Sequence, residues 1–290
     1  MLGEDVSRVI PYSSSGRRQP TIKIVDKSSE EVDLLVAKAL AEEERLHPDL
    51  EDAVRAFLSQ VAGLVILSDA VTCEIVYLSL TQDQESAGTP VAFSLALIRP
   101  GTFGHVGRKP VQFVPAHMGK PVLAGGVSYI DLDPRNLFTF RLDPKAARSV
   151  RTTVKFLKAA EDDQGAEFQL AKLAVEGHAA YNFGAHRVLQ SELFAKATQS
   201  MGWDARGLFK ERRLEPYGIW RQIQFLRFRI KLRESLLEQL NQAIAVAGEV
   251  VGFKGTLRIE GLPSVADADA LEDALRSGAN SFSDIATACI

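Results

Sequence analysis

The residues of this sequence that most clearly could do chemistry are cations concentrated in its last third. Between residues 206 and 233, nine arginines and lysines stand against two glutamates, although the whole chain has a net charge of −3. Such a segment could bind phosphates, in a way that depends on salt and ignores base sequence. It could equally pair with carboxylates of a neighbouring helix or subunit, because arginine binds both groups with the same bidentate geometry. The candidates for contact with DNA or with another subunit are Lys210, Arg212, Arg213, Arg221, Arg227, Arg229, Lys231 and Arg233.

Three aromatic residues accompany the basic segment. Trp203, Tyr217 and Trp220 could offer flat surfaces on which nucleic-acid bases stack. Tryptophan and tyrosine more often bury their rings and keep one polar atom bonded. We therefore expect these residues to be packing anchors.

The patterns of metal sites and of common active sites are missing. His178 and His186, the two closest histidines, are eight positions apart, which fits neither a zinc pair nor a His-x-Glu site. The glycines from Gly101 to Gly107 lack the Gly-Lys-Ser/Thr ending of a phosphate-binding loop and predict turns. No Gly-x-Ser-x-Gly elbow occurs, and Cys73 and Cys289 have no base nearby in the sequence. We expect no metal, no cofactor and no catalysis, although a dispersed active site stays open as a third alternative.

Composition limits the class of protein. The chain has 290 residues, of which 46% are hydrophobic and 24% charged, as in an ordinary folded protein. Its pI of about 6.0 means that any contact with DNA must come from a local patch. The start of the chain lacks the basic and apolar regions of a secretion signal, and no apolar run reaches the length of a membrane span. The sequence predicts a soluble protein that is not exported.

The order of predicted elements indicates the α+β class. Residues 11–20 are rich in serine and arginine and predict a flexible arm. Two helices follow, the first capped by Ser28 or Ser29 and the second opened by Asp49. Strands are expected at residues 72–80, 91–98, 127–132, 137–142 and 256–260, with a turn at 133–136 that brings the third and fourth together. Helices are expected at residues 145–160, 167–175, 187–201, 215–247 and 266–276, the fourth ending at Gly248 and the last at Gly278.

Several of these segments together resemble the tailed-bacteriophage portal proteins, the head-to-tail connector family. The segment Asp69–Tyr77 is similar to that family's step from a wing helix into a strand, and Tyr129–Phe140 to the wing segment before its helical stem. Ala197–Asp204 resembles the end of the second stem helix, and Leu236–Asn241 part of the channel-lining helix. Gly261–Pro263 resembles the start of the closing elements. The chain departs from the family between Lys145 and Met201, where little room is left for a stem and clip.

The resemblance implies a portal-like architecture in four parts. They are a flexible N-terminal arm at 1–28, a wing with a small β-sheet at 29–144, a helical stem with a reduced clip at 145–212, and a long channel helix with a return strand and C-terminal helix at 213–290. Roughly twelve copies would form a ring at one capsid vertex. Through it, viral DNA would be packaged and ejected.

The resemblance also implies partners. These are other copies of the chain in a dodecameric ring, the major capsid protein, the terminase, a head-tail adaptor and double-stranded DNA bound without sequence preference. The protein would be part of the virion, assembled in the host cytoplasm, with no contact to a membrane. The alternative function is a nucleic-acid-binding regulator that uses residues 206–233.

Overall fold

The computed structural model describes residues 2–11, 20–41, 49–79, 89–115, 118–121, 127–161, 198–203 and 216–289. The chain divides into two compact units. We call Gly3–Leu142 with Leu232–Leu262 the sheet unit. We call Met1–Leu2, Asp143–Lys231 and Pro263–Ile290 the helical unit.

The described residues form α-helices and short antiparallel strands. The helices are α1 (Leu2–Ser7), α2 (Glu31–Leu40), α3 (Leu50–Ser68), α4 (Pro144–Glu161), α5 (Pro216–Val251), α6 (Val265–Ser277) and α7 (Phe282–Ala288). The strands are β1 (Thr21–Val25), β2 (Ala70–Leu78), β3 (Ala92–Leu97), β4 (Phe103–Val106), β5 (Lys109–Pro115), β6 (Lys120–Pro121), β7 (Val127–Asp131), β8 (Leu137–Arg141) and β9 (Thr256–Glu260). The predicted α+β class is confirmed. No described helix is long and apolar enough to cross a membrane.

The strands form three sheets, all within the sheet unit. Their orders are β1-β9, β3-β2-β8 and β4-β5-β7-β6, and every pairing is antiparallel. In the second sheet, Ile75 lies opposite Leu95 and Val71 opposite Phe140. All four of these side chains are buried, so one face of this sheet belongs to the core.

Aromatic contacts join the buried sheet face to its neighbours. The ring of Phe57 in α3 meets the ring of Phe140 edge-on, with 5.9 Å between centroids. Phe93 in β3 stacks on Phe253, which follows α5, at 5.5 Å. Aromatic pairs of this kind contribute about 0.5–1.5 kcal/mol beyond the burial of their area.

The second helix of the sheet unit begins as the sequence predicts. The carboxylate of Asp49 accepts hydrogen bonds from the backbone N–H groups of Glu51 and Asp52. It thereby satisfies two of the donors that a helix N-terminus leaves open. The prediction for α2 is wrong, because its N-cap position is held by Glu30, without a side-chain cap, and not by Ser28 or Ser29.

Two further expectations about local structure are corrected. The turn at 133–136 does not pair the strands on either side of it, since β7 pairs with β5 and β6 while β8 pairs with β2. This 3₁₀ turn, which Asp133 caps, leads the chain from one sheet into another. The long helix does not stop at Gly248. It continues to Val251, and the chain turns at Gly252, whose φ is +90°.

Several predicted segments fall wholly or partly outside the description. The predicted flexible arm at 1–28 contains α1 and β1, while its Ser/Arg-rich part at 12–19 lies outside the described residues. The predicted helix at 167–175 also lies outside them, as does the one at 187–201 apart from its last four residues. The predicted four-part division of the chain stays a prediction.

Two side-chain amides fix the second half of α5 to the edges of two sheets. Gln239 accepts a hydrogen bond from the backbone N–H of Arg141 in β8 at 2.8 Å and donates to its C=O at 3.0 Å. Asn241 binds Leu257 in β9 in the same way, at 2.7 Å and 3.0 Å. Both β8 and β9 are edge strands. Each amide therefore satisfies backbone groups that would otherwise lack a strand partner.

We predict that Asn241→Ala lowers the free energy of unfolding by about 1–3 kcal/mol, because it leaves the backbone N–H and C=O of buried Leu257 without these hydrogen bonds. Urea unfolding measures the change. Gln242→Ala is the matched control, since Gln242 is the next residue of the same helix and is exposed. The control should change stability by less than about 0.5 kcal/mol. Equal effects of the two substitutions would contradict the role given to Asn241.

Candidate functional site

The first half of α5, which carries most of the described basic candidates, forms the core of the helical unit. Its apolar positions at helical spacing pack against side chains of α6 and α7 and against Cys289. The residues of this cluster are Ile219, Ile223, Leu226, Ile230, Ala268, Ile285 and Cys289. The apolar periodicity that predicts a long helix thus places one side of α5 in a core. Arg227 and Arg229 lie at the margins of that apolar stripe, and Arg221 lies on the opposite side of the helix.

Arg227 is held by carboxylates of α6. Its guanidinium lies 2.6 Å from Asp269 Oδ1 and 2.7 Å from Glu272 Oε2. The side chains of Arg227 and Glu272 are only 17% and 11% exposed, so water screens this pair weakly. The hydrogen bond from Arg227 holds the pKa of Glu272 below its ordinary value. Arg276 and Gln224 also donate to the Glu272 carboxylate.

Arg221 holds the segment at 198–203 against the helix. Its buried guanidinium donates to Thr198 Oγ1, and to the backbone C=O of Trp203 at 2.5 Å. Gly202 in this segment has a φ of +73°, and a Cβ there would overlap the C=O of Arg221 and lie 2.8 Å from the N of Phe225. Only glycine fits this close approach of two backbones without strain.

The remaining described cations of the segment differ in exposure. Arg229 donates to the backbone C=O of Cys289 at 3.3 Å, and its guanidinium lies 5.2 Å from the centre of the Phe225 ring. Arg233 is buried, whereas Lys231 is exposed. Arg206, Lys210, Arg212 and Arg213 lie outside the described residues. Thus Arg221, Arg227 and Arg229 make contacts inside the chain, and their predicted contact with DNA or another subunit stays a prediction.

The three aromatic candidates occupy different environments. Trp203 is buried, Trp220 is half-buried and Tyr217 is exposed. The rings of Tyr217 and Trp220 stack with their centroids 5.8 Å apart. Stacking on each other occupies one face of each ring, so that face is closed to a base.

Neither cysteine has the environment of a nucleophile. Burial raises the pKa of the Cys73 thiol to about 12 and that of the Cys289 thiol to about 11. Both therefore stay protonated at neutral pH, and the thiolate is the reactive form. Among the described residues no group of three or more histidine, cysteine, aspartate or glutamate side chains could hold a metal ion.

The exposed side of the second half of α5 lines an open depression of about 560 Å³ within the sheet unit. Two carboxylates and two amides provide most of its polar groups. Its lining residues are Glu234, Leu237, Glu238, Asn241, Gln242, Ala245 and Thr256. None of these is a histidine, cysteine or lysine. Apolar atoms make up most of its exposed lining, its charged groups are the carboxylates of Glu234 and Glu238, and the amide of Asn241 is already engaged with Leu257.

Sequence reasoning missed the structural roles of several residues around this helix. The carboxylates that bind Arg227 lie 42 and 45 positions further along the chain, at a distance that no local spacing rule covers. Gln239 and Asn241 were ordinary polar positions of an amphipathic pattern. Side chains at positions i and i+2 point to different sides of a helix. This spacing is the one feature of the sequence which indicates that Gln239 and Asn241 contact different neighbours.

Comparison with known proteins does not identify a family for this chain. No protein-family model matches the chain. No curated protein matches it. A solved structure that it resembles is the neck of a native GTA particle computed with C12 symmetry, at 11% sequence identity and a TM-score of 0.46. The likeness covers 98% of this chain and 88% of that one. A likeness this weak carries no functional conclusion.

We predict that Arg227→Met lowers the free energy of unfolding at pH 7 by about 1–3 kcal/mol, because it leaves the mostly buried Glu272 carboxylate without its main partner. The folded-state pKa of Glu272 is depressed, so its contribution is fully present above the unfolded pKa of about 4.3 and is lost as pH falls through the folded value. The loss of stability between pH 7 and pH 3 should therefore be smaller in the variant than in the parent protein.

Arg276→Met is the matched control for this prediction. Arg276 donates to the same carboxylate at 2.5 Å, but its side chain is 72% exposed. An exposed pair contributes little, so the control should change stability by less than about 0.5 kcal/mol and keep the pH dependence. Urea unfolding at both pH values measures all three proteins. An unchanged pH dependence in Arg227→Met would contradict the assignment.

Proposed function

We propose that the chain is a structural subunit of a head-to-tail connector ring of the portal type. Copies of it would surround a channel at one capsid vertex, through which viral DNA is packaged and later ejected. The role is mechanical: the ring positions DNA and docks other proteins, and its own residues perform no reaction. The order of sequence segments that resemble the portal family supports this choice.

The observation that carries the proposal is an apolar sheet face left open in the sheet unit. On the side of β2 away from the core, Val76 and Leu78 are exposed. Leu78 is 49% exposed. Ala92 and Ala96 lie opposite Leu78 and Glu74 on the same face. Glu74 and Ser94 are the polar residues of this face, and Ser94 lies opposite Val76. Exposed aliphatic side chains such as Val76 and Leu78, next to each other on a sheet and rimmed by polar residues, are typical of a site that another protein covers.

The electrostatics of this sheet face also favour a contact with another protein. Glu74 lies on it, and burial together with the nearby charge of Asp133 raises the pKa of the Glu74 carboxyl above its ordinary value. A carboxyl that is already partly shielded from water loses less solvation when a neighbour covers it. The face can therefore be buried further at a modest electrostatic cost.

A second apolar surface lies at the end of α5. Val246 and Val250, one helical turn apart, are both exposed. The helix thus has an apolar side that the described residues of its own unit leave partly uncovered. Two different apolar surfaces on one subunit suit a heterologous contact, in which one surface of each copy meets the other surface of the next. Such contacts generate closed rings when the rotation between copies closes.

The charge of the exposed helix face suits a conduit. Glu234, Glu238 and Glu249 are exposed along the second half of α5, and no lysine or arginine occurs between Glu234 and Val251. Carboxylates repel phosphates, so DNA that passes such a surface is not held tightly. A channel lined by such a surface lets DNA move along it. We infer that this face of α5 lines the channel.

The partners follow from the proposed role. The ring would contact the major capsid protein at its rim, the terminase during packaging and a head-tail adaptor afterwards. It would be part of the virion after assembly in the host cytoplasm. The ring would hold about twelve copies.

The native mass of the purified protein tests the proposal, and substitutions on the exposed sheet face test where the copies contact each other. We predict that the purified protein forms closed rings, and that the double variant Val76→Glu/Leu78→Glu stays folded but sediments as a monomer, because two buried charges at the contact cost several kcal/mol. Multi-angle light scattering gives the mass, and negative-stain imaging shows whether the particle is a ring.

Val106→Glu is the matched control, because Val106 is similarly exposed at 42% but lies on a different sheet. This control should form rings like the parent protein. Circular dichroism checks that each variant keeps its fold. A parent protein that is a stable monomer at high concentration would contradict the ring, and rings formed by the double variant would contradict the placement of the contact.

A further inference from the structure

Helix α4 carries a regular row of cations that the sequence reasoning overlooked. Its basic residues stand three or four positions apart, and no acidic residue occurs between residues 144 and 160. They are Lys145, Arg148, Arg151, Lys155 and Lys158. At 3.6 residues per turn, the last four fall within an arc of about 80°, and all five within about 140°. The row is therefore one face of the helix, about 20 Å long.

The opposite side of α4 is the buried one. Val150 and Thr153 are buried at positions across the helix from the basic row, and Ala147 is buried at the edge of the row, on the side of Lys158. All five cations of the row are exposed. The helix is thus anchored by its small apolar side and presents the charged side outward, so the row is accessible to a partner.

The charges of the row are largely unneutralised. Lys145, Arg148, Lys155 and Lys158 form no ion pair with any of the residues that the structure describes. This differs from Arg227 in α5, which two carboxylates of α6 bind. Most of the exposed, unpaired cations of the described helical unit therefore lie on α4, and only Lys231 among them belongs to the segment at 206–233.

The composition of the row favours phosphate over a protein surface. Three of its five cations are lysines, which are depleted at the cores of protein interfaces. Clustered lysine and arginine along one helix face is instead the electrostatic footprint of nucleic-acid binding.

We propose that the basic face of α4 binds the phosphate backbone of double-stranded DNA. The choice of DNA as the polymer rests on the proposed function. One strand of duplex DNA presents a phosphate about every 3.4 Å along the axis, so a face about 20 Å long meets more phosphates than it has cations. The contact is sequence-blind, since a row of cations contacts phosphates and not base edges.

The strength of this contact fits a conduit. Each cation that neutralises a phosphate releases a counterion, and the slope of log K against log salt is about −0.9 per contact. Four contacts, one from each of the unpaired cations Lys145, Arg148, Lys155 and Lys158, give a slope of about −3.6, so the affinity falls steeply as salt approaches physiological concentration. DNA is thus guided without being held.

The test measures binding of the full chain to a short fluorescein-labelled DNA duplex by fluorescence anisotropy, over a salt titration from about 50 to 200 mM. The variant is Lys155→Gln/Lys158→Gln, which removes two exposed charges and keeps good helix formers. We expect its affinity at the lowest salt to fall about tenfold or more and its slope to become shallower by about 2.

The control is Lys254→Gln/Arg258→Gln, which removes two exposed cations of the sheet unit and should leave the slope unchanged. An unchanged slope in the α4 variant, or an equal change in the control, overturns the inference. Polyglutamate is added as a competitor. Displacement of the duplex at equal charge concentration would show that the face takes acidic protein surfaces, and this too overturns the inference.

Light scattering on the same samples separates this inference from the ring. If the α4 variant forms rings but its salt-dependence slope equals that of the parent protein, the result contradicts the phosphate-binding site and leaves the proposed function supported. If the parent protein is a monomer whose DNA binding depends on Lys155 and Lys158, the result supports the phosphate-binding site on α4 and contradicts the proposed ring.

Discussion

The structure depends on how the long helix α5 satisfies its polar side chains while burying its apolar ones. Leu236, Leu240 and Ala247 are buried in the sheet unit, so the polar residues between them are carried toward strand edges. Gln239 and Asn241 meet this constraint by binding the backbone of β8 and of β9. Together with the burial of the apolar stripe, these two contacts fix the rotation of the helix about its axis. They thereby determine that Glu234, Glu238, Val246 and Val250 remain exposed.

The same rule of polar satisfaction explains the basic segment. A buried or half-buried arginine costs free energy unless its N–H groups are bonded. Arg221 donates to Thr198 and Trp203, and Arg227 donates to Asp269 and Glu272. Charges that look like a nucleic-acid surface in the sequence therefore tie α5 to α6 and to the segment at 198–203. Most of the exposed cations without an ion pair in the described part of the helical unit lie on α4, and Lys231 in α5 is another.

Local features of the fold could be predicted from the sequence, and pairings over long distances could not. Asp49 as a helix cap, Gly278 as a helix end and the strand at 256–260 depend on neighbouring residues, and the structure confirms them. The pairing of β8 with β2 and not with β7 depends on which residues meet across the fold. The end of α5 was misplaced because Gly248 was expected to stop a helix. Gly248 instead lies inside the helix, where a Cβ would come within 2.5 Å of the C=O of Phe253. For the candidate site, spacing identified the cations but not the carboxylates that bind some of them.

The central claim is that the exposed apolar surfaces of the sheet unit are contacts between copies of the chain. Hydroxyl-radical footprinting of dilute and assembled protein tests this most directly, because it reports the solvent exposure of single side chains. We expect Val76, Leu78, Val246 and Val250 to lose labelling on assembly, while Leu67, which is 77% exposed on α3, stays labelled. Equal labelling of the four residues in both states, in a particle that is a ring, would contradict the claim.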